Sequence, residues 1–582
     1  VSLPLYAEGI LAFPGAEGFG RFATGGRGGT IYHVTNLNDS GEGSLRDAVS
    51  KPGRIIVFDV SGVIKLKSAL VFSSNLTVLG QTAPREGIQV YGERVSFSGA
   101  NNIIVRYMRF RMGVSGTSGK DACGVANGKN MIFDHLSALW GRDECFSISW
   151  DKKGTVPTDI TIQNSIIGQG LQSHSCGGLI QTEGGVTLYR NLYIENKTRN
   201  PKVKGLNQFV NNVVYNWGGG GCYIMGDSEG PSWAHIENNY FMKGPWKGTA
   251  AFTRGNDNFK YYAAGNYYDT DADGTVNGHE MTDAEYDASG SYRISDLETF
   301  DGVSRPKVHP EIANMMSAEE ALMWIIDSVG PCLPVRDEVD QYLIDELKSF
   351  GKKGSTNGIS SERDLPHGGT GTLYGGYKPL DTDGDGIPDE WELANGLNPN
   401  DPSDAVAIAD NGYAHIENYS FSITSAYPYI KNPSELKVAA QEKESIALSW
   451  VDNADNESGF VIEISTDNKT FTEAGRVAAN VTTHTVSGLI PETVYYFRLK
   501  AYSDEGVNSL YTSTLTTETI GDPSAPKLSE NPSPAVDAEI GTANDVVFTW
   551  ENATKPYYGK VTYAVYAGTS PDNLEPLATG LT

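Results

Sequence analysis

Short apolar, β-branched runs recur along the first half of the chain, often just after Asn or Gly. They are Ile103-Ile104-Val105, Met131-Ile132-Phe133, Ile160-Thr161-Ile162, Val186-Thr187-Leu188, Phe209-Val210-Asn211, Ala234-His235-Ile236 and Tyr261-Tyr262-Ala263. Successive starts lie 23 to 29 residues apart, a recurrence that reads as a solenoid in which each unit buries its face against its neighbours. The units carry strand-like runs and no amphipathic helical period, which predicts a β-helix rather than a helical or leucine-rich repeat. A globular β-sandwich also has many short strands, but its turns come roughly every 8 to 12 residues. That suits the middle of each repeat and not the longer recurrence. A solenoid needs covered ends. Ser44-Leu45-Arg46-Asp47-Ala48-Val49 reads as a short capping helix at the front, and Ser317 to Val329 and Arg336 to Phe350 as helices packing on the far side.

Beyond the repeats the character changes. Gly351 to Gly376 is rich in Gly, Ser and Thr and reads as a linker or surface loop, followed by an acidic segment at Asp381 to Asp404. Asn432 to Thr516 shows short alternating strands such as Ser445-Ile446-Ala447-Leu448-Ser449-Trp450 and Thr493-Val494-Tyr495-Tyr496-Phe497-Arg498-Leu499. Trp450 in an early strand and the Tyr495/Tyr496 pair resemble a fibronectin type III β-sandwich. Pro523 to Thr582, with Val547-Phe548-Thr549-Trp550, has a similar look but is too short to complete a sandwich. The expected order is a β-helix over 8–350, a linker with a calcium-type loop over 351–430, a fibronectin-like domain over 431–520 and an incomplete second immunoglobulin- or fibronectin-like module over 523–582.

Composition narrows the partners. The 582 residues exceed one ordinary domain, and 39% hydrophobic with 10% aromatic content supports sizeable cores. A net charge of −27 argues against nucleic acid or an anionic membrane, both of which need a basic face. An anionic polysaccharide stays open, given a local basic patch or a cation held between carboxylates. Cys123, Cys145, Cys176, Cys222 and Cys332 form no CxxC pair and read as buried apolar side chains, with room for one bridge. No apolar stretch of about 18 residues predicts a membrane span, and Val1 to Ala7 fits the tail of a cleaved signal peptide.

Three constellations carry candidate chemistry. Asp381-Thr382-Asp383-Gly384-Asp385-Gly386-Ile387-Pro388-Asp389-Glu390-Trp391-Glu392 places carboxylates at loop positions 1, 3, 5, 9 and 12 and Gly at position 6. That is the oxygen-ligand spacing that wraps Ca²⁺, with the Ile387 carbonyl at position 7. A solvated acidic turn is the alternative. Asp121 and Asp143 flank the strand Asn130 to His135 about one coil apart, so they either share a cation or are independent surface carboxylates. Lys197-Thr198-Arg199-Asn200-Pro201-Lys202-Val203-Lys204 is the densest basic run. Lys202 and Lys204 alternate around Val203, so a strand sends both to one face, near Arg199; the alternative is a solvated, lysine-decorated strand.

At these residues the chain resembles pectate lyases of polysaccharide lyase family one, over about Phe13 to Phe350. The likeness rests on Pro14-Gly15-Ala16-Glu17-Gly18-Phe19-Gly20, Ser44-Leu45-Arg46-Asp47-Ala48, Ile132-Phe133-Asp134-His135 and Arg199-Asn200-Pro201-Lys202-Val203-Lys204. The resemblance implies an all-β fold, a right-handed parallel β-helix followed by β-sandwich modules. It implies that Arg199 abstracts a proton, that Lys204, with Lys202 beside it, binds substrate, and that Asp121 and Asp143 hold calcium. Asp134 and His135 match a structural pair. Two positions depart from the family pattern: Ser147 stands where a third calcium carboxylate falls, and Cys176 where a substrate lysine falls.

The implied reaction is calcium-dependent β-elimination of an acidic plant polysaccharide, polygalacturonate or pectin, by a secreted, periplasmic or cell-surface monomer. The sequence-based expectation is that Lys202, Lys204 and the cation favour the neutral form of Arg199. A lyase of methylated pectin, a polygalacturonase on the same fold, and a non-catalytic carbohydrate-binding adhesin are the alternatives. No HExxH, GxSxG or P-loop motif competes.

Overall fold

The computed structural model describes residues 9–226, 230–286, 292–293, 309–373, 375–376, 378–425, 430–504, 507–521, 547–551, 562–570 and 572–581. The chain divides into two compact units, Val1–Tyr429 and Ile430–Thr582. The first is a parallel solenoid of about nine turns, in which each turn contributes strands to three sheets. The first sheet contains Lys129–Asp134, Thr158–Gln163 and Val186–Tyr189, with Met131 opposite Ile160 and Ile160 opposite Val186. The second takes Ser137–Leu139, Ile166–Gly168 and Leu192–Ile194. The third takes Cys123–Val125, Phe146–Ser149 and Leu179–Gln181. The apolar runs that recur in the sequence are the strands of the first sheet.

Alternation explains why these runs stack. Alternate side chains point inward, and Ile103, Val105, Met131, Phe133, Ile160 and Ile162 join one continuous core. Phe133 packs between Phe97 and Phe146 with ring centroids 4.7 and 5.0 Å away. Between the first and second sheets the chain turns through residues of positive φ, namely Asn164 (55°), Arg190 (54°), Asn211 (56°) and Asn238 (54°). Asn is among the few residues that tolerate this region. The next residue in successive coils forms a buried ladder: Asn191, Asn212 and Asn239 each donate Nδ2 to Oδ1 of the following Asn, ending at Asn266, over 3.0, 3.1 and 2.8 Å. The ladder satisfies amides that would be costly if unpaired. It accounts for the Asn residues that follow the later runs; those just before the earlier runs stack separately, Asn130 Nδ2 donating to Asn102 Oδ1 and Asn102 Nδ2 to Asn75 Oδ1, each at 3.0 Å.

Two of the three outer faces are covered. Residues 14–20 cross the first sheet, where Gly20 N donates to Thr161 Oγ1 at 2.9 Å and a Cβ on Gly20 would sit 2.1 Å from the Met131 carbonyl oxygen. That contact explains the glycine. Ile387, Ala405, Ile416 and Tyr419 pack on Ile55, Val57 and Leu79 of the same sheet. The front helix is Leu45–Val49, capped by Ser44. The helices expected on the far side, Ala318–Ser328 and Glu338–Leu347, lie along the second sheet. They seat Leu322, Ile325, Leu343 and Leu347 against Leu139, Ile166, Leu192 and Val213. The reason is the pattern of those short strands, whose outward residues are apolar and need cover. Residues 351–376, expected as linker or surface loop, hydrogen-bond back onto the coils through Ser355 to Glu195 and through Val114 N to Glu362.

The second unit contains an antiparallel β-sandwich. Ser445–Val451 pairs with Ser434–Gln441 and Thr483–Ser487, and Gly459–Ser465 with Thr472–Ala478 and Val494–Tyr502. Trp450 packs 5.6 Å from Phe460, and the Tyr495 hydroxyl accepts from Ile490 N at 3.0 Å. Of the module expected over 523–582, a hairpin of Tyr563–Ser570 and Asn573–Leu581 is described; residues 523–546 and 552–561, like Val1 to Ala7, lie outside the described residues. Among the described residues the five cysteines are free, and no helix is long and apolar enough to cross a membrane.

Candidate active site

The third sheet presents the groove. Register aligns Gly124, Ser147, Leu179 and Lys202 in one outward row and Ser149, Gln181 and Lys204 in the next. Val125, Ile148, Ile180 and Val203 point into the core. The turns entering these strands stack as well. Asp121 precedes Cys123–Val125, Asp143 and Glu144 precede Phe146–Ser149, His174 and Cys176 precede Leu179–Gln181, and Arg199 precedes Lys202–Val210. Backbone bridges from Glu144 to Cys176 and from Cys176 to Thr198 keep the turns in register.

Arg199 has φ 57°, donates its backbone N–H to the Gly221 carbonyl at 3.2 Å and accepts from Gly178 N at 2.8 Å. Its guanidinium reaches back across the Cys176 turn and pairs with the Glu144 carboxylate. Glu144 N donates to Asp121 Oδ1 at 3.2 Å, and Asp143 Oδ1 stands 2.9 Å from His174 Nε2. Ser147 Oγ accepts from Leu179 N at 3.1 Å and bonds the Asp121 carboxyl. A cleft of about 100 Å³ lies on this face, lined in part by Ser96, Asp121, Gly124, Ser147 and Ser149. The structure thus brings Asp121, Asp143 and Arg199 to one wall, with Lys202 and Lys204 on the adjoining rows. Glu144, which the sequence offers as a substitute for the calcium carboxylate missing at Ser147, sits between Arg199 and Asp121.

The wall is electrostatically crowded. Burial raises the pKa of Asp121, and Asp143 adds to it. Burial, then the Asp121 carboxylate, push Glu144 up to about 8. Burial disfavours the charge on Arg199, but Cys176 and Glu144 outweigh it, and its pKa is raised. The groups nearest the guanidinium are acidic, whereas the expectation of a favoured neutral form rests on a bound cation together with Lys202 and Lys204. Burial also pushes the Cys176 thiol up to about 12. Carboxylates forced together in this way fit a hard divalent cation, which takes oxygen ligands and relieves their repulsion.

A fibronectin type III domain profile matches residues 431–518. The chain is 52% identical over 423 residues to the probable pectate lyase C of Aspergillus flavus, covering 73% of this chain and 96% of that protein. It is 54% identical over 414 residues to the probable pectate lyase C of Emericella nidulans, covering 71% and 93%. The chain belongs to the pectate lyase family. Among solved structures, jun a 1, the major allergen from cedar pollen, is 18% identical, with 54% of this chain and 92% of that chain covered at a TM-score of 0.38.

This polysaccharide lyase carries a second acidic centre, at the calcium-type loop. Asp381, Asp383 and Asp385 converge, and Asp385, Glu392 and Asp404 form an adjoining group. Asp383 Oδ2, Asp385 Oδ2, both Glu392 carboxylate oxygens and Asp404 Oδ1 are buried with no hydrogen-bond partner. Unpaired buried carboxylates are costly; burial first, then the neighbouring acids, push Asp385 and Glu392 up to about 7 each. This orphaned set fits a cation. Two details differ from the sequence reading. Asp389, at loop position 9, accepts from Thr382 N and Oγ1 at 2.7 and 2.6 Å, in the first turn of helix Asp389–Asn395. Asp404 takes a place in the cluster from beyond the twelve-residue window, where spacing gave no signal. The Ile387 side chain is buried against Ile55, Val57 and Leu79, and its N–H donates to Asp385 Oδ1 at 2.9 Å.

The run Asp269, Asp271, Asp273, Gly274, Asn277 and Glu280 repeats this spacing and was not singled out in the sequence. Two of its carboxylates are engaged within the loop, Asn277 Nδ2 donating to Asp271 and Asp273 at 3.1 and 3.4 Å. Spacing alone assigns no ion there. Asp134 and His135 lie on the first sheet, away from the groove. Asp134 accepts from Arg106, Gln163 and Asn164 at 2.8, 2.9 and 2.7 Å, and His135 stacks on Tyr107. Burial opposes the Asp134 charge, but His135 and Arg106 hold its pKa far below the usual carboxylate range.

Proposed function

We propose that the chain cleaves polygalacturonate-type pectin outside the cytoplasm by calcium-assisted β-elimination, releasing 4,5-unsaturated oligouronides. The observation that carries this reading is the pairing of Arg199 with Glu144 on the wall that also holds Asp121 and Asp143. Asp121, Asp143 and Glu144 would hold calcium in the groove. When bound, the ion supplies positive charge that draws electron density from a uronate carboxylate and acidifies the proton on C5.

Lys202 and Lys204, flexible point charges on adjoining outward rows, bind neighbouring uronate carboxylates. Arg199 takes the C5 proton, the C4–O bond breaks as the C4–C5 double bond forms, and water protonates the departing oxygen. A guanidinium is ordinarily protonated, with a pKa above about 12, and Glu144 keeps it so while their pair lasts. Were Glu144 engaged in holding the ion, that hold would be gone, and the positive charge of the ion, Lys202 and Lys204 would favour the neutral guanidine that acts as base. The cluster of Asp381, Asp383, Asp385, Glu392 and Asp404 would hold a further calcium in a structural role, beside no catalytic group.

The test is ultraviolet-monitored incubation with polygalacturonate and with highly methylated pectin, each with and without EDTA. Unsaturated product from polygalacturonate, lost on chelation and absent from folded Arg199→Ala, is expected. Saturated ends, indifference to chelation, or near-normal turnover by Arg199→Ala would overturn the reading.

A further inference from the structure

We propose that the groove also holds a site for a thiophilic divalent cation of the zinc class, built from Asp143, Glu144, His174 and Cys176. One ligand atom from each of the four lies within 4.8 Å of the others. The two turns that supply them are tied by backbone hydrogen bonds, Cys176 N to the Asp143 carbonyl at 3.3 Å and Cys145 N to the Cys176 carbonyl at 3.0 Å. Asp143 Oδ1 is buried and lies 2.9 Å from His174 Nε2, an ion-pair contact outside hydrogen-bonding angles. A carboxylate oxygen and an imidazole nitrogen thus face each other where a shared cation would sit. Glu144 and Cys176, 3% and 1% exposed, form the floor, while the His174 side chain, 56% exposed, stands at the entry.

The donor set decides the class of ion. Calcium takes oxygen ligands, whereas zinc takes thiolate, imidazole and carboxylate in a four-coordinate shell. Asp121 stands outside the set and belongs to the oxygen-only side of the groove. Asp143 and Glu144 are common to both sides, so the two kinds of cation exclude each other. Binding draws Glu144 away from Arg199 and displaces the proton of the Cys176 thiol. The binding claim is independent of the lyase reading; only the competition with calcium rests on it.

Cobalt(II) serves as the probe, added to the full chain in calcium-containing buffer. One equivalent is expected to produce a near-ultraviolet thiolate-to-cobalt charge-transfer band that zinc bleaches. Cys176→Ser should abolish the band, and His174→Ala, at an exposed position that does not endanger folding, should weaken cobalt affinity at least about tenfold. Absence of the band in the unaltered chain, a band surviving Cys176→Ser through another cysteine, or unchanged affinity in His174→Ala would each overturn the proposal.

Discussion

Arg199 and Glu144 form an ion pair across the Cys176 turn, and the carboxylate partner is only 3% exposed. A carboxylate this buried needs a positive partner; the guanidinium is one, and the calcium of the proposed reaction would be another. On that proposal, exchange between the two would link metal binding to the readiness of Arg199. Glu144→Gln keeps the shape and removes the charge. It should raise the calcium concentration for half-maximal rate about tenfold, with the fold retained by circular dichroism. An unchanged calcium requirement would remove Glu144 from the ion's ligands.

The cluster near Asp385 has a separate signature, because its loop packs on Ile55, Val57 and Leu79. An ion bound at a hundredfold excess over its dissociation constant stabilises by about 2.7 kcal/mol, a shift of several degrees in unfolding temperature. Glu392→Gln and Asp404→Asn should each remove most of the calcium-dependent rise in scanning calorimetry. Asp389→Asn should keep it, since Asp389 is occupied by Thr382. Equal loss in all three variants would restore position 9 as a ligand and discount the geometry.

What the sequence disclosed, and what it hid, follows from range. The solenoid was legible because Met131, Ile160 and Val186 repeat at one-coil intervals, and their stacking follows from that interval alone. The shared face of Lys202 and Lys204 was equally legible, since a strand's period of two sends both outward around Val203. Glu144 was legible only as a candidate substitute for the carboxylate missing at Ser147, because its pairing with Arg199 depends on the direction of a side chain that reaches across the Cys176 turn. Asp404 was hidden by chain distance. The place of the helices was hidden because an amphipathic face says that something apolar must be covered, not which sheet offers it.

The second of these helices, Glu338–Leu347, is fastened by charge at its N-terminus. Arg111 pairs with Asp337 at 2.6 Å and Asp340 at 2.8 Å, Arg109 reaches Asp337 at 3.2 Å, and all four side chains are buried. Removing one partner from such a set leaves an uncompensated buried charge. Asp337→Ala should cost about 3–5 kcal/mol in urea unfolding of the first unit, while Arg111→Met with Asp337→Leu should recover much of the loss. A cost below about 1 kcal/mol would show that the cluster is not desolvated as described.

Glu346, on helix Glu338–Leu347, opposes Glu195 beside a cavity of about 650 Å³ that Tyr342 and Ser355 also line. Glu346 Oε2 is buried without a partner. Burial, then the Glu195 carboxylate, push Glu346 up to about 8, and burial raises Glu195 as well. An unfolded glutamate titrates near about 4.3, so the native state binds this proton more tightly. The resulting stabilisation is full below about pH 4.3 and is lost as pH rises toward about 8. Glu346→Gln keeps a neutral side chain at every pH. Its unfolding temperature should therefore match that of the unaltered chain near pH 4.5 and exceed it by about 2–5 °C near pH 8.5, the gap opening steadily between. Parallel curves across that window would mean that Glu346 is ionised in the native state throughout.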